Sequence, residues 1–234
     1  MPRHYALIPA AGVGIRMQSG IPKQYLPLRG KPMLAHAVDA LVRTPDIAHV
    51  FVVVSAGDGY IDALVDAAAW PGSRVGVLRV GGASRQESVQ NGVQAIRHRC
   101  AADDWILVHD AARPGLTPAL VARLIDAVGD DAVGGLLALP VVDTMKQADA
   151  AQRVQATLPR AGLWAAQTPQ MFRCGLLQRA LHQALASAAT VTDEASAIEA
   201  LGLQPLLVQG SLCNMKVTLP EDAALAELFL GMPQ

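Results

Sequence analysis

A turn rich in glycine and alanine follows the first apolar segment of this 234-residue chain, and two cations stand close behind it. Small residues let the backbone approach a phosphate, and consecutive N–H groups can cradle it. The positive charges of Arg16 and Lys23 suit a ligand with several negative charges, such as a triphosphate. An ordinary strand-to-helix turn with surface cations explains these residues about equally well when they are taken alone. The turn comprises Pro9, Ala10, Ala11, Gly12 and Gly14.

This turn matches neither of the two common phosphate-binding motifs. A dinucleotide fingerprint would need a third glycine where Met17 stands, and a P-loop would need the sequence GK[ST] after the second glycine. Ligands of α/β proteins bind outside the carboxyl ends of strands, which is where the turn is expected. It therefore remains a candidate phosphate site of another type.

A carboxylate ends the apolar run 105–108, in the sequence LVHDAARP. Asp110 at the end of a strand is a natural ligand for Mg²⁺, which takes one or two protein carboxylates with water and phosphate oxygens. Arg113 just beyond it could meet a further phosphate. A carboxylate that only caps the next turn, with Arg113 paired at the surface, is the alternative, and an isolated His-Asp pair favours it.

A second glycine turn occurs in VGGASRQESV, residues 80–89. The backbone of Gly82 and the hydroxyl of Ser88 could read the edge of a base. Ser84 and Glu87 have the S-x-x-E spacing of a capping box, which predicts a helix beginning there. The two interpretations are compatible.

Composition excludes several classes of protein. The chain has 19 Lys+Arg against 20 Asp+Glu and 52% hydrophobic residues, so it is not disordered and carries no excess charge for a broad nucleic-acid surface. Apolar runs such as 133–142 are about half the roughly 20 residues of a membrane span, and the N-terminus is a poor signal peptide. The three cysteines show no CxxC spacing. We expect a soluble cytoplasmic protein with reduced thiols.

Short apolar runs alternate with amphipathic stretches, which predicts one α/β domain with a parallel sheet covered by helices on both faces. The more polar stretch 143–167 predicts a protruding hairpin or arm. Strands are expected at 5–9, 50–55, 74–80, 105–108, 135–142 and 206–208, and helices at 31–44, 60–70, 86–99, 117–128, 175–188, 193–201 and 221–230.

Eight motifs in a fixed order resemble the 2-C-methyl-D-erythritol 4-phosphate cytidylyltransferases of the non-mevalonate isoprenoid pathway. They are PAAGVGIRM, PKQY, GGASRQESV, VHDAARP, DTMK, TPQMF, TDEASAIE and NMKVTLPED, and they run nearly end to end. The resemblance implies a single Rossmann-like nucleotidyltransferase domain over residues 1–234, with a protruding β-arm at about 141–170 that forms a homodimer. It also implies cytidylyl transfer from CTP to methylerythritol phosphate, with release of pyrophosphate.

The resemblance assigns roles on the nucleotide side. The turn from Pro9 to Gly14 would bind CTP, and Arg16 and Lys23 would stabilise charge on the reacting phosphates. Gly82 and Ser88 would recognise the cytosine. Asp110 would bind Mg²⁺ with the nucleotide.

The resemblance also assigns an acceptor site. Lys216 and Arg160 would hold the attacking phosphate in line with the α-phosphorus, and the arm carrying Thr144 and Arg160 would cross from the neighbouring subunit. The acceptor would be bound by Arg113, Thr144, Arg160, Thr168 and Thr192. Three positions depart from the family pattern. Members often carry a basic residue where Ile15 stands and an aspartate where Ala83 stands, and some members carry an aspartate where Cys213 stands.

Three other functions compete with this interpretation. A ribitol 5-phosphate cytidylyltransferase shares many nucleotide-side motifs and would differ around residues 160–168. A non-catalytic nucleotide-binding module would bind without Mg²⁺ and release no pyrophosphate. A purely structural dimerisation domain would leave the glycine turns and the basic residues without a purpose.

Overall fold

A computed structural model of the chain describes residues 2–12, 21–68, 70–72, 74–186 and 191–232. Within these ranges strands and helices alternate for most of the chain. The strands are β1 (His4–Pro9), β2 (Pro27–Leu28), β3 (Lys31–Pro32), β4 (Ile47–Val53), β5 (Val75–Leu78), β6 (Trp105–Val108), β7 (Gly134–Pro140), β8 (Met145–Ala148), β9 (Val154–Leu158), β10 (Trp164–Arg173) and β11 (Leu206–Gln209). The helices are α1 (Met33–Val42), α2 (Ile61–Ala68), α3 (Arg85–Ala95), α4 (Pro118–Val128), α5 (Cys174–Ala186), α6 (Glu194–Glu199) and α7 (Pro220–Leu230).

Seven strands form the central sheet in the order β11-β7-β10-β6-β1-β4-β5. The pairs of β1 with β4 and β6, of β4 with β5, and of β7 with β11 are parallel, whereas β10 runs antiparallel to both of its neighbours. The predicted α/β fold with a mostly parallel sheet is therefore confirmed. The carboxyl ends of β1, β4 and β6 lie at one edge of the sheet, where the candidate site residues follow them.

Helices cover both faces of the sheet, because the side chains of each buried strand alternate between two cores. In β1, Ala6 and Ile8 face a core shared with α1, α2 and α4. Tyr5 and Leu7 face the other core, shared with α3, α5 and α6. No helix within the described ranges is long and apolar enough to cross a bilayer.

Strand β10 differs from the sequence prediction, which placed residues 143–167 in an arm and expected no strand before the helix at 175. It lies between β7 and β6 in the centre of the sheet. Its polar residues Gln167, Thr168 and Gln170 are buried, and they interrupt the apolar pattern by which a buried strand is recognised. Residues 164–170 of the range assigned to the arm therefore belong to the sheet that carries the site.

The protruding hairpin itself is present. Among the described residues, strands β8 and β9 pair only with each other, in an antiparallel two-stranded sheet, and nearly all of their residues are exposed. Met145, Val154 and Leu158 expose large apolar side chains on it.

Helix ends agree with the capping signals in most places. Thr117 accepts a hydrogen bond from Leu120 N and caps α4, with Pro118 in the first turn, as predicted. The helix predicted from residue 31 begins instead at Met33, because Lys31 and Pro32 pair with β2.

Candidate active site

A cavity of about 500 Å³ opens at the carboxyl edge of the sheet, between the turn after β1, the turn before α3 and the end of β6. Three of its lining residues, Lys23, Arg85 and Lys216, are cationic, and Asp110 is its carboxylate. The lining consists of Pro9, Ala10, Ala11, Gly12, Lys23, Gln24, Gly82, Ala83, Ser84, Arg85, Ser88, Asp110, Ala111, Ala112 and Lys216. Every described residue that the sequence assigned to nucleotide binding is among them.

Backbone hydrogen bonds tie both glycine turns to the end of β4. Ala10 N donates to Val53 O at 2.7 Å, and Gly81 N donates to Val54 O at 2.8 Å. A Cβ at Gly81 would overlap the Cβ of Ala11, so the close approach of the two turns requires glycine there. Gly14, Arg16 and Ile15 lie outside the described residues.

Lys23 lies in a short 3-10 turn, Lys23–Tyr25, at the edge of the cavity. Its Nζ donates to Val217 O at 2.8 Å, which holds it near the segment that carries Lys216. The next residue, Gln24, is buried and donates through Nε2 to Ala10 O at 2.6 Å. The turn after β1 and the two lysines are thus held together by side-chain contacts.

The turn before α3 is organised by three side chains. Ser84 caps the helix by accepting from Glu87 N at 3.0 Å, as the S-x-x-E spacing predicted, and the Glu87 carboxylate accepts from Ala83 N at 2.7 Å. Ser88 accepts from Gly82 N at 3.0 Å and donates to Ser84 O at 2.8 Å. Because Ser88 is 2% exposed, it supports the Gly82 backbone at the cavity wall rather than presenting an unengaged hydroxyl.

Asp110 is surrounded by cations. Arg85 Nε donates to its Oδ1 at 2.8 Å, Lys216 Nζ donates to its Oδ2 at 2.8 Å, and Arg113 Nε lies 3.6 Å from Oδ2. Burial alone would raise the pKa of Asp110, but the charges of Arg85 and Lys216 outweigh it and hold the pKa well below its usual range. The carboxylate is therefore ionised at any working pH.

Arg85 has a second carboxylate partner, Glu194, and neither residue was predicted from the sequence as part of the site. The Nη1 and Nη2 atoms of Arg85 donate to the two carboxylate oxygens of Glu194 at 2.7 and 3.0 Å. Burial would lower the pKa of Arg85, but Glu194 and Asp110 together raise it. Arg85 lies in the motif GGASRQESV and Glu194 in TDEASAIE, and their opposite charges were the one sign in the sequence that they could pair. Their separation of 109 positions gave no reason to pair them.

A second cavity, of about 190 Å³, adjoins the first and shares Arg85, Asp110 and Lys216 with it. It contains three of the residues that the resemblance assigned to the acceptor: Arg113, Thr168 and Thr192. Its lining consists of Arg85, Asp110, Arg113, Ala166, Gln167, Thr168, Gln170, Thr192, Asp193 and Lys216. The shared wall of three charged side chains is where two ligands could meet.

Arg113 is aimed into this second cavity by backbone contacts. Its Nη1 donates to Asn214 O at 2.8 Å and its Nη2 to Ala166 O at 3.3 Å. Its Nε is buried and makes no hydrogen bond within the described ranges. The same Nε forms the ion pair with Asp110 Oδ2 at 3.6 Å, so Arg113 adds a positive charge to the wall of the second cavity that Asp110 balances in part.

His109 is a structural residue rather than a base. Thr168 Oγ1 accepts from Asp110 N at 3.0 Å, so its hydroxyl proton points to His109 Nδ1, also at 3.0 Å. We assign the neutral tautomer with the proton on Nε2, which donates to Arg113 O at 3.2 Å. Burial lowers the pKa of His109 to about 4. Both ring nitrogens are therefore engaged, and neither can take a proton from a substrate.

The lowered pKa of His109 predicts a pH-dependent stability. The unfolded state binds a proton below about pH 6.5 and the folded state only below about pH 4, so the stability contributed by neutral His109 is lost as pH falls through this window. The full loss in the free energy of unfolding is on the order of 3 kcal/mol. This loss is measured by comparing the free energy of urea unfolding at pH 4.5 and pH 7.5, for the ligand-free protein with a metal chelator in the buffer. His4 and His36, whose pKa values burial also lowers, add in the same direction. The free energy of unfolding of His109→Gln should therefore change less between the two pH values. A change equal to that of the unmodified protein would contradict the assignment of a neutral, buried His109.

Gly115 sets the path of the segment that carries Lys216. A Cβ at Gly115 would overlap the carbonyl oxygen of Cys213, a backbone atom that cannot rotate away. We expect Gly115→Ala to destabilise the fold by about 1–3 kcal/mol and to weaken the lysine contact with Asp110. Thermal unfolding and KM measurements test this. Gly57→Ala, where a Cβ would meet open space, is the matched control. An unfolding temperature equal to that of the control would contradict the close approach.

Thr144 and Arg160 line neither cavity of their own chain. Thr144 precedes β8 and Arg160 lies between β9 and β10, and both side chains are exposed. The Arg160 guanidinium contacts the carbonyl of Val142 at the base of the arm. The structure therefore brings Lys23, Gly82, Ser88, Asp110, Arg113, Thr168, Thr192 and Lys216 together, and it leaves the two arm residues outside the cavities.

The donor set fits a magnesium ion that arrives with phosphate ligands. No cluster of three or more His, Cys, Asp or Glu side chains with metal-binding geometry occurs among the described residues. Asp110 is ionised, and each of its oxygens retains a lone pair beyond the contacts with Arg85 and Lys216. Mg²⁺ commonly binds one carboxylate plus substrate phosphates and water. Asp110 would then be the protein ligand.

Comparison with known proteins identifies the family. The model of the family described as 2-C-methyl-D-erythritol 4-phosphate cytidylyltransferase (IspD) matches residues 4–232. The chain belongs to this family. A 2-C-methyl-D-erythritol 4-phosphate cytidylyltransferase from Ralstonia nicotianae is 56% identical to this chain over 233 residues. The matched residues cover 98% of this chain and 92% of that protein. Another from Chromobacterium violaceum is 54% identical over 226 residues, covering 97% of each.

Solved IspD structures have the same fold. A crystal structure of a 4-diphosphocytidyl-2C-methyl-D-erythritol synthase is 43% identical, has a TM-score of 0.84 and covers 98% of this chain and 99% of its own. The 2-C-methyl-D-erythritol 4-phosphate cytidylyltransferase from Thermus thermophilus is 31% identical, with a TM-score of 0.78 and 99% and 100% coverage. The Rossmann-like IspD fold predicted from the motifs is confirmed.

Proposed function

We propose that this chain transfers the cytidylyl group of CTP to 2-C-methyl-D-erythritol 4-phosphate, giving 4-diphosphocytidyl-2-C-methyl-D-erythritol and pyrophosphate. Family membership over residues 4–232 supports the reaction. The observation that carries it at the site is the pair of adjoining cavities with Arg85, Asp110 and Lys216 in their shared wall. The larger cavity has the size and cations for a nucleoside triphosphate, and the smaller one suits a sugar-alcohol phosphate. The ribitol phosphate alternative is not favoured, since the relatives carry the methylerythritol name.

The reaction needs charge neutralisation more than proton transfer. A phosphate monoester has its second pKa near 6, so the attacking phosphate is mostly a dianion at neutral pH. One of its oxygens forms a bond to the α-phosphorus of CTP, the bond from that phosphorus to the bridging oxygen breaks, and pyrophosphate leaves with the electron pair. No general base is required, which agrees with the engaged state of His109.

Cationic side chains that could neutralise phosphate charge lie at both cavities. Lys23 stands on the nucleotide side, Arg113 on the acceptor side, and Lys216 lines both. Fixed positive charges around a reacting phosphate stabilise the charge that develops there and hold the reactants in line. Arg16 would join Lys23 beside the triphosphate.

Magnesium is part of the proposal. Asp110 would be its carboxylate ligand, with phosphate oxygens and water as the others. When bound, the ion neutralises charge on the triphosphate. Since Cys213 replaces an aspartate found in some members, Asp110 would act without a second carboxylate from that position.

A homodimer that acts in the cytoplasm, where CTP is available, completes the proposal. The smaller cavity is lined by three cations and two carboxylates, and Glu194 stands behind one of the cations. Positive and negative charges are thus nearly balanced before a phosphate dianion enters. A further cation from outside would favour binding, and Arg160 on the exposed arm of a second copy, which also carries Thr144, can supply one.

Pyrophosphate release tests the function. The protein is incubated with CTP and Mg²⁺ together with methylerythritol 4-phosphate, ribitol 5-phosphate or no acceptor. We expect release only with methylerythritol 4-phosphate. Release with ribitol 5-phosphate instead would keep the nucleotide cavity and overturn the acceptor. Binding of CTP without release in any arm would support a non-catalytic nucleotide-binding module.

A further inference from the structure

A single guanidinium group lies between the two cavities. Arg85 is the first residue of α3 and lines both of them. Its Nε donates to Asp110 at 2.8 Å, and its Nη1 and Nη2 donate to Glu194 at 2.7 and 3.0 Å. All three nitrogens therefore contact carboxylates, and 28% of the side chain remains exposed to the cavities.

Glu194 is the buried end of this network. It lies in the first turn of α6 and is 1% exposed, and both of its oxygens accept from Arg85. A two-point contact of this kind fixes the orientation of the guanidinium as well as its position.

The network connects two segments that wall different cavities. Arg85 follows Ser84, which lines the nucleotide cavity, and Glu194 follows Asp193 and Thr192, which line the acceptor cavity. Asp193 caps α6 and also accepts from Gln170 Nε2 at 2.8 Å, so the start of α6 is tied to β10. One side chain therefore joins the segment that walls the nucleotide cavity to the segment that walls the acceptor cavity.

We propose that Arg85 is a positioning residue that couples the two cavities, so that binding of the nucleotide strengthens binding of the acceptor phosphate and the reverse. The coupling rests on the proposed function, which assigns the two ligands to these cavities. Because one guanidinium joins the wall of the nucleotide cavity to the wall of the acceptor cavity, a ligand that orders one wall lowers the entropic cost of ordering the other. Glu194 holds the guanidinium in place from behind. Coupling between two binding sites is reciprocal, so either ligand can be varied in the test.

Equilibrium binding measures the coupling without turnover. The affinity for methylerythritol 4-phosphate is measured by calorimetry with and without saturating α,β-methylene-CTP and Mg²⁺. The methylene bridge of this analogue prevents loss of pyrophosphate. In the unmodified protein we expect the nucleotide analogue to strengthen acceptor binding about fivefold or more. In Arg85→Gln we expect the ratio of the two affinities to fall to within about twofold of one.

Matched variants separate coupling from folding. Glu194→Gln keeps the shape of the side chain and removes its charge, and Arg85→Lys keeps the cation but cannot contact both carboxylates in the same geometry. Both variants should lose most of the coupling, and they test the proposal in place of Arg85→Gln if that variant does not fold. Arg79→Gln is the control, because Arg79 also makes a two-point contact with a carboxylate, that of Asp62, but lines neither cavity. It should keep the full coupling.

The outcomes distinguish this inference from the proposed function. Wild-type coupling that persists in folded Arg85→Gln, Arg85→Lys or Glu194→Gln would overturn the role of Arg85. Binding of both ligands to the unmodified protein without any coupling would overturn it as well, and would leave the proposed function intact. Failure of the unmodified protein to bind either ligand would overturn the proposed function itself, and the inference with it.

Discussion

Replacing Lys23 with methionine is expected to lower kcat by a factor on the order of 100 or more, which is the usual effect of removing one electrostatic stabiliser from an active site. Methionine preserves the length of the side chain and removes its charge. Lys23 lines the nucleotide cavity, and its Nζ is held by Val217 O at 2.8 Å, close to Lys216. The same effect is expected for Arg16→Ala. Steady-state pyrophosphate release at saturating CTP and acceptor measures kcat.

A matched lysine separates the local effect from a general one. Lys31 pairs with Asp39 and lines neither of the two cavities, so Lys31→Met should keep a kcat within about twofold of the unmodified protein. Lys23→Arg retains the charge and should recover part of the rate. If folded Lys23→Met turned over like the unmodified protein, the assignment of Lys23 to the reacting phosphates would be wrong.

Mixing two inactive chains is expected to restore activity, provided that the arm acts across subunits. In Lys23→Ala the nucleotide cavity is defective and the arm intact, whereas in Arg160→Ala the reverse holds. A mixed dimer then contains one site with both residues intact and one site with neither. Random pairing of equal amounts gives about a quarter of the unmodified activity, because half of the dimers are mixed and each has one working site.

Purified mixed dimers make this result decisive. Chains carrying two different affinity tags are unfolded together, refolded, and selected for both tags, and pyrophosphate release is then compared with that of each parent. If Arg160 served its own chain, every site in the mixed dimer would contain one defect. Activity of verified mixed dimers at the parental level would therefore contradict the crossing arm. A monomer in sedimentation at working concentration would contradict the homodimer.

Local sequence patterns determined the main elements of the fold. The alternation of side chains in β1 between two cores follows from the two-residue period of a strand and its continuous apolar run. Thr117 followed by Pro118 specified the start of α4, and Ser84 with Glu87 specified the start of α3, since these side chains bond to the backbone a few positions away. Such interactions depend only on neighbours in the chain.

Much of the candidate site was also predictable. Residues that follow the carboxyl ends of parallel strands must meet at one edge of the sheet, so the sequence alone predicts that the turn after β1 and Asp110 lie close together. The second glycine turn had already pointed to Gly82, and the ordered motifs added Thr168 and Lys216. The structure places Gly82 at the first cavity, Thr168 at the second and Lys216 at both. Their roles in binding and transfer remain predictions.

Only the tertiary structure decided which polar residues are buried and what they contact. Strand β10 has buried Gln167 and Thr168 in the middle of the sheet, where local patterning favours apolar residues, and these side chains are satisfied by Ser211, Asn214 and the backbone of Asp110. The pairing of Arg85 with Glu194 joins positions 109 apart. Contacts of this kind carry no sequence period, because their partners are brought together only when the sheet and the helices on its faces have assembled.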